Sequence, residues 1–395
     1  MGKLLIRGIA WCFFLTALMI GCKKKEAERS KGFVTSWSVQ PSLKYDACNL
    51  IGILTSRPFY QKYHLEIHRE WSWNLPAPVK TALAEIDRII GPDWPPGPRL
   101  AMLMSAVTAD DSLEQIFAAI QDGSQIRERL MASDYGTTKN WQQWVELKPH
   151  VEVVLRYLSA QDFEGYWRTN LLPEVTAKIP ALKQELQAYD VVGDLERFLG
   201  DYRFDRETLT LYVLSLAQPH ELRLDSQRRY TSLKHPLRPT VRSFYHEMLH
   251  PYCDRLVDSL LAADFKALQQ DTLLQQSLQL VATNGQPNDF EALFSKDLVM
   301  AAELWVGERR QLISGQYHDD NQGTAEAVRS FLKTKDGGAH VLAAVIYSYL
   351  ESGLKLERIS YYVFIKDLFA SGRLQPGKIA SRYESFMHTP TNGTP

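Results

Sequence analysis

The chain has 395 residues, of which 45% are hydrophobic and 11% aromatic. This composition argues against wholesale disorder and leaves room for one large domain or two smaller ones. Lysine and arginine number 45 against 46 acidic residues, so the net charge is −1. Such a balance offers no basic stripe for phosphate groups, and we therefore expect no nucleic-acid partner.

The N-terminus has the pattern of an export signal. Lys3 and Arg7 form a basic start, and an apolar run follows at positions 8–20. The run is too short to span a bilayer comfortably, since spanning takes about 20 apolar residues. It ends in the sequence LMIGC at positions 18–22, which resembles the lipobox of bacterial lipoproteins. An uncleaved membrane helix or a plain secretory signal is the alternative.

The lipobox resemblance implies a location and an anchor. Residues 1–21 would be a signal peptide, Cys22 would carry the acyl chains, and residues 22–35 would be a tether. The resemblance thus implies a protein of the bacterial cell envelope that is held to a membrane through Cys22. Lys23 after the lipidated cysteine favours the outer membrane over the inner one.

Helical periodicity dominates residues 36–200, which we predict to be a helical N-terminal region. The strongest break in the chain is the proline- and glycine-rich sequence at 91–98. The predicted helices of this region are 43–59, 78–90, 100–107, 112–120, 141–158 and 179–189.

Two histidines in this region, His64 and His68, stand at positions i and i+4. The glutamate between them, Glu66, falls two positions after His64, roughly 200° round a helix, and points away from any ion that the histidines would share. We interpret this pair as ordinary surface or interface histidines.

The pattern changes near residue 205. Residues 207–216 are rich in β-branched, aromatic and leucine residues and predict a strand, and 229–233 predict a second one. Thr240 is a candidate N-cap for a helix over 241–250, and Pro251 is expected to kink or end that helix.

The remaining helical segments complete a mainly α (α+β) fold. We divide it into a core at 201–320, with a short sheet, and a helical C-terminal region at 321–395 whose tail frays from 389. The later predicted helices are 252–270, 289–314, 325–332, 341–350 and 356–369.

The segment FYHEMLH at 244–250 contains the pattern HExxH. On a helix, His246 and His250 share a face and can direct imidazole nitrogens at one ion. Glu247 can reach a water in the open coordination position, whose pKa zinc lowers toward 7, and can take its proton. The pattern therefore predicts a zinc site with Glu247 as general base.

This segment resembles the gluzincin class of zinc metallopeptidases, and the chain is similar to bacterial HExxH lipoproteins that form a domain of unknown function. The resemblance implies a zincin-like core and a third zinc ligand from a glutamate on a later helix. Glu303 is our candidate, because it is a lone carboxylate inside an apolar helical stretch and a metal would supply its missing cationic partner. Glu308 is the rival. In thermolysin-like relatives an aspartate four residues after the third ligand orients a histidine; here that position is Gly307.

A hydrolase also needs a group that stabilises the transition state and a surface that binds the substrate. Tyr317 and His318 are candidate stabilisers of the transition state, with His235 and Tyr252 as alternatives. As zincins generally do, the strand at 207–216 could present an edge to an extended peptide.

Two cysteines outside the signal, Cys48 and Cys253, either pair or stay as buried thiols.

We therefore expect a lipid-anchored zinc metallohydrolase whose substrate is a peptide or protein, or a stem peptide of the cell wall. The alternative is a non-catalytic helical lipoprotein that binds an envelope partner, with a degenerate or structural motif.

Overall fold

The computed structural model describes residues 33–110, 112–133, 135–260, 262–283, 289–313, 324–352 and 359–388. Within these ranges the chain is mainly helical with one small mixed sheet, which confirms the predicted mainly α class. The predicted signal peptide, Cys22 and most of the tether lie outside the described residues. None of the described helices combines the length and the apolar character needed to cross a membrane.

The sheet has four strands in the spatial order β1-β2-β4-β3: β1 Ser36–Gln40, β2 Thr208–Leu214, β3 Glu221–Arg223 and β4 Arg228–Ser232. Strands β1, β2 and β4 are parallel, and β3 pairs antiparallel with β4 at one edge. The sequence predicts β2 and β4 but neither edge strand. Because β1 comes from the predicted N-terminal region, that region and the predicted core share one sheet.

Strand β2 is internal, so the prediction that its edge receives a peptide is wrong. Its alternating sequence gives it two different faces. Leu211 and Val213 pack into the same core as Phe244 and Met248 of the motif helix, whereas Tyr212 packs against the N-terminal helices. The sheet therefore separates two hydrophobic cores, one on each face.

The N-terminal helices up to residue 171 cover the Tyr212 face of the sheet, whereas the two at 172–186 and 191–199 pack into the core of the motif helix. Polar side chains cap several of them: Ser42 accepts from the Tyr45 N–H, and Thr137 from the Asn140 N–H. The predicted break at 91–98 separates α3 from α4. The helices are α1 Leu43–Leu54, α2 Pro58–Ser72, α3 Ala77–Ile90, α4 Pro96–Met104, α5 Leu113–Gln121, α6 Gly123–Met131, α7 Thr138–Ala160, α8 Phe163–Tyr166, a π-helical turn Trp167–Leu171, α9 Leu172–Leu186 and α10 Val191–Leu199.

The C-terminal helices build the other core together with α9 and α10, and the motif helix α11 lies between the sheet and α14. These helices are α11 Leu237–Leu260, α12 Ala262–Leu268, α13 Thr272–Thr283, α14 Phe290–Arg309, α15 Thr324–Thr334, a 3₁₀ turn Lys335–Gly338, α16 Val341–Glu351, α17 Tyr361–Ala370 and α18 Lys378–Met387.

Two details of α11 differ from the sequence predictions. The helix begins at Leu237, so Thr240 lies inside it, with its hydroxyl 3.4 Å from the Pro236 carbonyl oxygen, and is not the N-cap. The helix also does not end at Pro251 but continues to Leu260. A proline costs a helix one hydrogen bond, and here the packing of α11 on α14 outweighs that loss.

Candidate metal site

The two motif histidines meet on one face of α11. The Nε2 atoms of His246 and His250 are 3.2 Å apart, and the rings are nearly perpendicular. Two nitrogens that bind one tetrahedral zinc at about 2.0–2.1 Å lie about 3.3 Å from each other. The separation of the imidazole pair therefore matches that of two zinc ligands, and it also permits one imidazole to donate a hydrogen bond to the other.

Glu303 reaches the motif from α14, but on the far side of His246. It is 4% exposed, and its Oε2 lies 2.7 Å from Nδ1 of His246. Its other oxygen accepts a hydrogen bond from Nε of Arg242, which is also buried. The three predicted ligands are thus brought together, yet the carboxylate does not face the Nε2 pair. Among the described residues no set of three histidine, cysteine or acidic side chains is arranged to hold a metal ion.

The charge on Glu303 fixes the state of His246. Burial alone would raise the pKa of this carboxyl, but Arg242 and His246 outweigh burial and lower the pKa to about 2. An ionised carboxylate only accepts hydrogen bonds, so Nδ1 of His246 carries a proton and Nε2 is left to act as a ligand. A carboxylate behind a metal-binding imidazole has this same effect in metal sites.

His250 is suited to metal binding for a related reason. Burial and the neighbouring His246 lower the pKa of its imidazole, so the neutral form is favoured. Metal ions bind neutral imidazole. The separation of the imidazole pair thus fits zinc, and the Glu303 carboxylate lies behind His246, on its Nδ1 side.

Glu247, the predicted base, is held by two arginines from the sheet. Its Oε2 accepts a hydrogen bond of 2.5 Å from Nη1 of Arg223 on β3, and its Oε1 lies 3.9 Å from Nη1 of Arg229 on β4. Arg229 is buried and also bonds the Ser243 carbonyl and Glu221. One carboxylate oxygen is therefore firmly engaged, and the other is held more loosely.

Three arginines of the site were not predicted from the sequence: Arg223, Arg229 and Arg242. Arg223 and Arg229 lie in short strands that place them under the motif helix, and Arg242 lies four residues before His246, one turn away. Only Arg242 has a sequence signal, because positions i and i+4 of a helix share a face.

A cleft of about 250 Å³ opens beside His246, on the side of Arg242 and Glu303. Phe331 forms part of its wall, with the Arg242 guanidinium 4.1 Å from the centre of the ring, and Lys335 lies on its lining. This volume is below the range of about 300–1,000 Å³ for drug-sized ligands, so it suits a side chain and not a whole small molecule.

The other candidate site residues lie elsewhere. Tyr317 and His318 are outside the described residues. Glu308 accepts a hydrogen bond of 2.6 Å from the Tyr347 hydroxyl, and the alternatives His235 and Tyr252 contact Pro219 and Asp201 respectively.

The structure also shows where the two cysteines and the second histidine pair lie. Cys48 and Cys253 are both free thiols, buried in the two different cores, so they do not pair. His64 sits at a kink in α2, and His68 contacts the Ser56 hydroxyl at 2.9 Å. That second i, i+4 pair therefore lacks the regular helix of the HExxH pair.

Comparison with protein-family models, curated proteins and solved structures found no match for this chain.

Proposed function

We propose that this protein is a zinc-dependent metallohydrolase that cleaves amide bonds in peptides or proteins. The observation that carries the proposal is the 3.2 Å separation of the His246 and His250 Nε2 atoms, with the Glu303 carboxylate behind His246. A chance pair of surface histidines needs no such support from a buried acid on another helix. The gluzincin resemblance of the motif points to the same chemistry.

Each residue of the site has a distinct role in the proposed hydrolysis. His246 and His250 hold the ion, and Glu303 keeps Nε2 of His246 free to bind it. Zinc, when bound, supplies a Lewis acid and acidifies water. Glu247 takes the proton of the attacking water at Oε1, the oxygen that is 3.9 Å from Arg229, and passes it to the leaving amine. Arg223 is our candidate donor to the oxyanion of the substrate, in place of Tyr317 and His318.

Substrate binding is proposed along β3 and not along β2. Strand β3 lies at the sheet edge, is antiparallel to its neighbour and carries Arg223 next to Glu247. An extended peptide that adds to this edge would bring its carbonyl groups past the motif. We accordingly propose a zincin-like core formed by the sheet, α11 and α14. Stem peptides of the cell wall are the other substrate class.

A second function rests on the polar contacts of Glu247. A carboxylate held by Arg223 at 2.5 Å has to release that partner before both of its oxygens are available. Together with the lack of a third ligand among the described residues, this favours a non-catalytic lipoprotein whose HExxH network stabilises a surface for an envelope partner.

Metal content and hydrolysis separate the two functions. We expect the purified full chain to hold about one zinc and to cleave a quenched fluorescent peptide library. Glu247→Gln should abolish cleavage and keep the zinc, and His250→Ala should lose the zinc. His68→Ala is the matched control, because it removes a histidine from the other i, i+4 pair, and should change neither. Cleavage that survives both a chelator and Glu247→Gln would refute the enzyme; a zinc-free, inactive and well-folded chain would favour the partner-binding function.

Anchoring is tested separately. We propose that the protein is attached to the bacterial envelope, in the outer membrane, by acyl chains on Cys22. Radiolabelled palmitate should enter the wild-type chain in cells and not the Cys22→Ser variant, which should be released from the membrane fraction. Equal labelling of the two would rule out this anchor.

A further inference from the structure

A second cleft lies across the sheet from the motif. It has a volume of about 440 Å³, and we call it the Lys44 cleft. Its walls include Tyr212 and Arg228 from the sheet, Asp110 and Lys44 from the N-terminal helical layer, and Trp167. Tyr212 points away from the core that holds the motif helix, so this cleft is separate from the candidate metal site.

Lys44 is an unusual residue for such a position. It is 3% exposed, and its Nζ donates a hydrogen bond of 2.5 Å to the Val107 carbonyl oxygen and lies 4.6 Å from the centre of the Tyr45 ring. Within the described part of the chain no carboxylate lies within ion-pair distance of this amine. Lysine is almost never fully buried without an ionic partner, because its desolvation is costly. Desolvation also affects the pKa of the Lys44 amine: burial lowers it to about 8, although Asp110 acts in the opposite direction.

The acid that lines the cleft with Lys44 is already engaged. Asp110 uses Oδ1 to accept hydrogen bonds from the Ser42 hydroxyl, at 2.9 Å, and from the backbone N–H of Lys44, at 2.8 Å. It caps the start of α1 in this way. Its carboxylate thus serves the backbone of Lys44 and does not pair with the amine.

The other cations of the cleft have partners. Arg228 donates from Nε to Asp225 at 2.6 Å, and Arg168 is 2.9 Å from Glu164. Among the described residues that line the cleft, Lys44 is therefore the cation that has no ion pair. Close by, the Tyr45 hydroxyl is buried and has no hydrogen-bond partner among the described residues.

We propose that the Lys44 cleft binds a small organic monocarboxylate, with its carboxylate on the Lys44 amine and its apolar part against Trp167 and Leu172. One unpaired positive charge calls for one negative charge, which favours a carboxylate over a phosphate dianion. The apolar side chains of Leu43, Trp167 and Leu172 in the lining favour a ligand with a short hydrocarbon or aromatic group. The volume falls within the range of about 300–1,000 Å³ that is common for small-molecule sites.

Binding is tested on the full chain with butyrate and 3-phenylpropionate as probes, with sodium chloride at equal ionic strength as the reference. We expect a saturable rise in melting temperature and a calorimetric binding signal with both acids, larger for phenylpropionate. Inorganic phosphate should give a weaker effect, and phosphate that binds as tightly as the carboxylates would overturn the charge argument. No saturable response to either acid at tens of millimolar would overturn the proposal itself, whatever the variants do.

Variants locate the site. Lys44→Met should weaken carboxylate binding by at least about tenfold, and it should leave the melting temperature of the free protein unchanged or higher, because a poorly compensated charge is removed. Lys80→Met makes the same change at an exposed position of α3 and should leave binding as in the wild type. If Lys44 only anchors Val107, Lys44→Met lowers the melting temperature and carboxylate binding is unaffected or was never present. Lys44→Gln, which removes the charge but keeps an N–H donor, should weaken binding in a folded protein even if Lys44→Met does not fold; unchanged binding in Lys44→Gln would contradict the role of the Lys44 charge.

Discussion

Replacing Glu303 by glutamine probes the support behind the motif histidine. The wild-type carboxylate is buried and takes hydrogen bonds from two groups, Arg242 and His246. The neutral amide leaves the buried guanidinium without its counter-charge. Breaking a buried ion pair by removing one partner costs about 3–5 kcal/mol, which is a large part of the roughly 5–15 kcal/mol that stabilises a typical domain. We expect urea unfolding of Glu303→Gln to show a loss of this size.

The same substitution should weaken zinc binding through His246. A glutamine that turns its NH₂ toward His246 donates to Nδ1, which moves the imidazole proton to Nε2 and blocks that nitrogen as a ligand. Removing a carboxylate behind a ligand histidine costs about 10–100-fold in metal affinity. Competition with a fluorescent chelator measures this change. If Glu303 were itself a zinc ligand, zinc would be lost altogether.

Glu308→Gln is the matched control on the same helix. Glu308 contacts the Tyr347 hydroxyl at 2.6 Å, so its replacement should cost only about 0.5–1.5 kcal/mol and leave zinc affinity unchanged. A Glu303→Gln protein that loses less than the control in stability, or that binds zinc as tightly as the wild type, would refute the assigned role of the carboxylate.

Three further substitutions test other parts of the molecule. Arg223→Gln should lower kcat by about 10²–10³ if its guanidinium stabilises the oxyanion; a higher kcat in peptide-cleavage assays would mean that it restrains the base instead. His340 donates to Asp297 at 2.6 Å and to Asp336 at 2.8 Å, and although burial lowers its pKa, the two carboxylates raise it overall. The ion pairs of His340 should therefore contribute fully to stability below its unfolded-state pKa of about 6.5, and this contribution should decline as the pH rises through its folded-state pKa. Urea unfolding should accordingly show a lower unfolding free energy at pH 9 than at pH 6 in the wild type, and a smaller difference in His340→Gln. A wild-type unfolding free energy that rises between these pH values through His340 would contradict this expectation. Phe244→Ala empties a fully buried position in the sheet-facing side of the motif helix and should cost about 3–5 kcal/mol in unfolding free energy; a loss under 1 kcal/mol would mean that the core there is loosely packed.

Local patterns in the sequence were enough to predict the internal part of the sheet and the motif helix. The alternation at 207–216 and the HExxH spacing are short-range signals, and both correspond to observed elements, β2 and α11. Strand β1 was assigned to the helical region because its five residues owe their strand conformation to pairing with β2, some 170 positions away. No local pattern carries that information. Pro251 shows the converse, since tertiary packing overrides a local helix breaker.

For the candidate site, too, some features were predictable from the sequence and others were not. The burial of Glu303 and its proximity to the motif followed from a lone carboxylate in an apolar stretch. Which nitrogen of His246 it contacts did not follow, because that depends on how α14 crosses α11 and on where Arg242 competes for the acid. Arg223 was missed because a three-residue strand gives too short a pattern to recognise.

The arginine contacts bear directly on how a metal could bind. Glu303 and Glu247 are each paired with a guanidinium, so an ion at the imidazole pair adds positive charge where the nearby negative charge is already compensated. Arg242→Met therefore distinguishes two roles of the buried acid. If Glu303 acts only from behind His246, removal of Arg242 makes the Glu303 carboxylate a stronger acceptor for the Nδ1 hydrogen of His246, and zinc affinity should rise modestly. If Glu303 must instead swing to the metal, release from Arg242 removes the main obstacle, and zinc affinity should rise far more than tenfold. A fall in affinity would mean that Arg242 positions the carboxylate, so that the acid, the arginine and the histidine work as one unit.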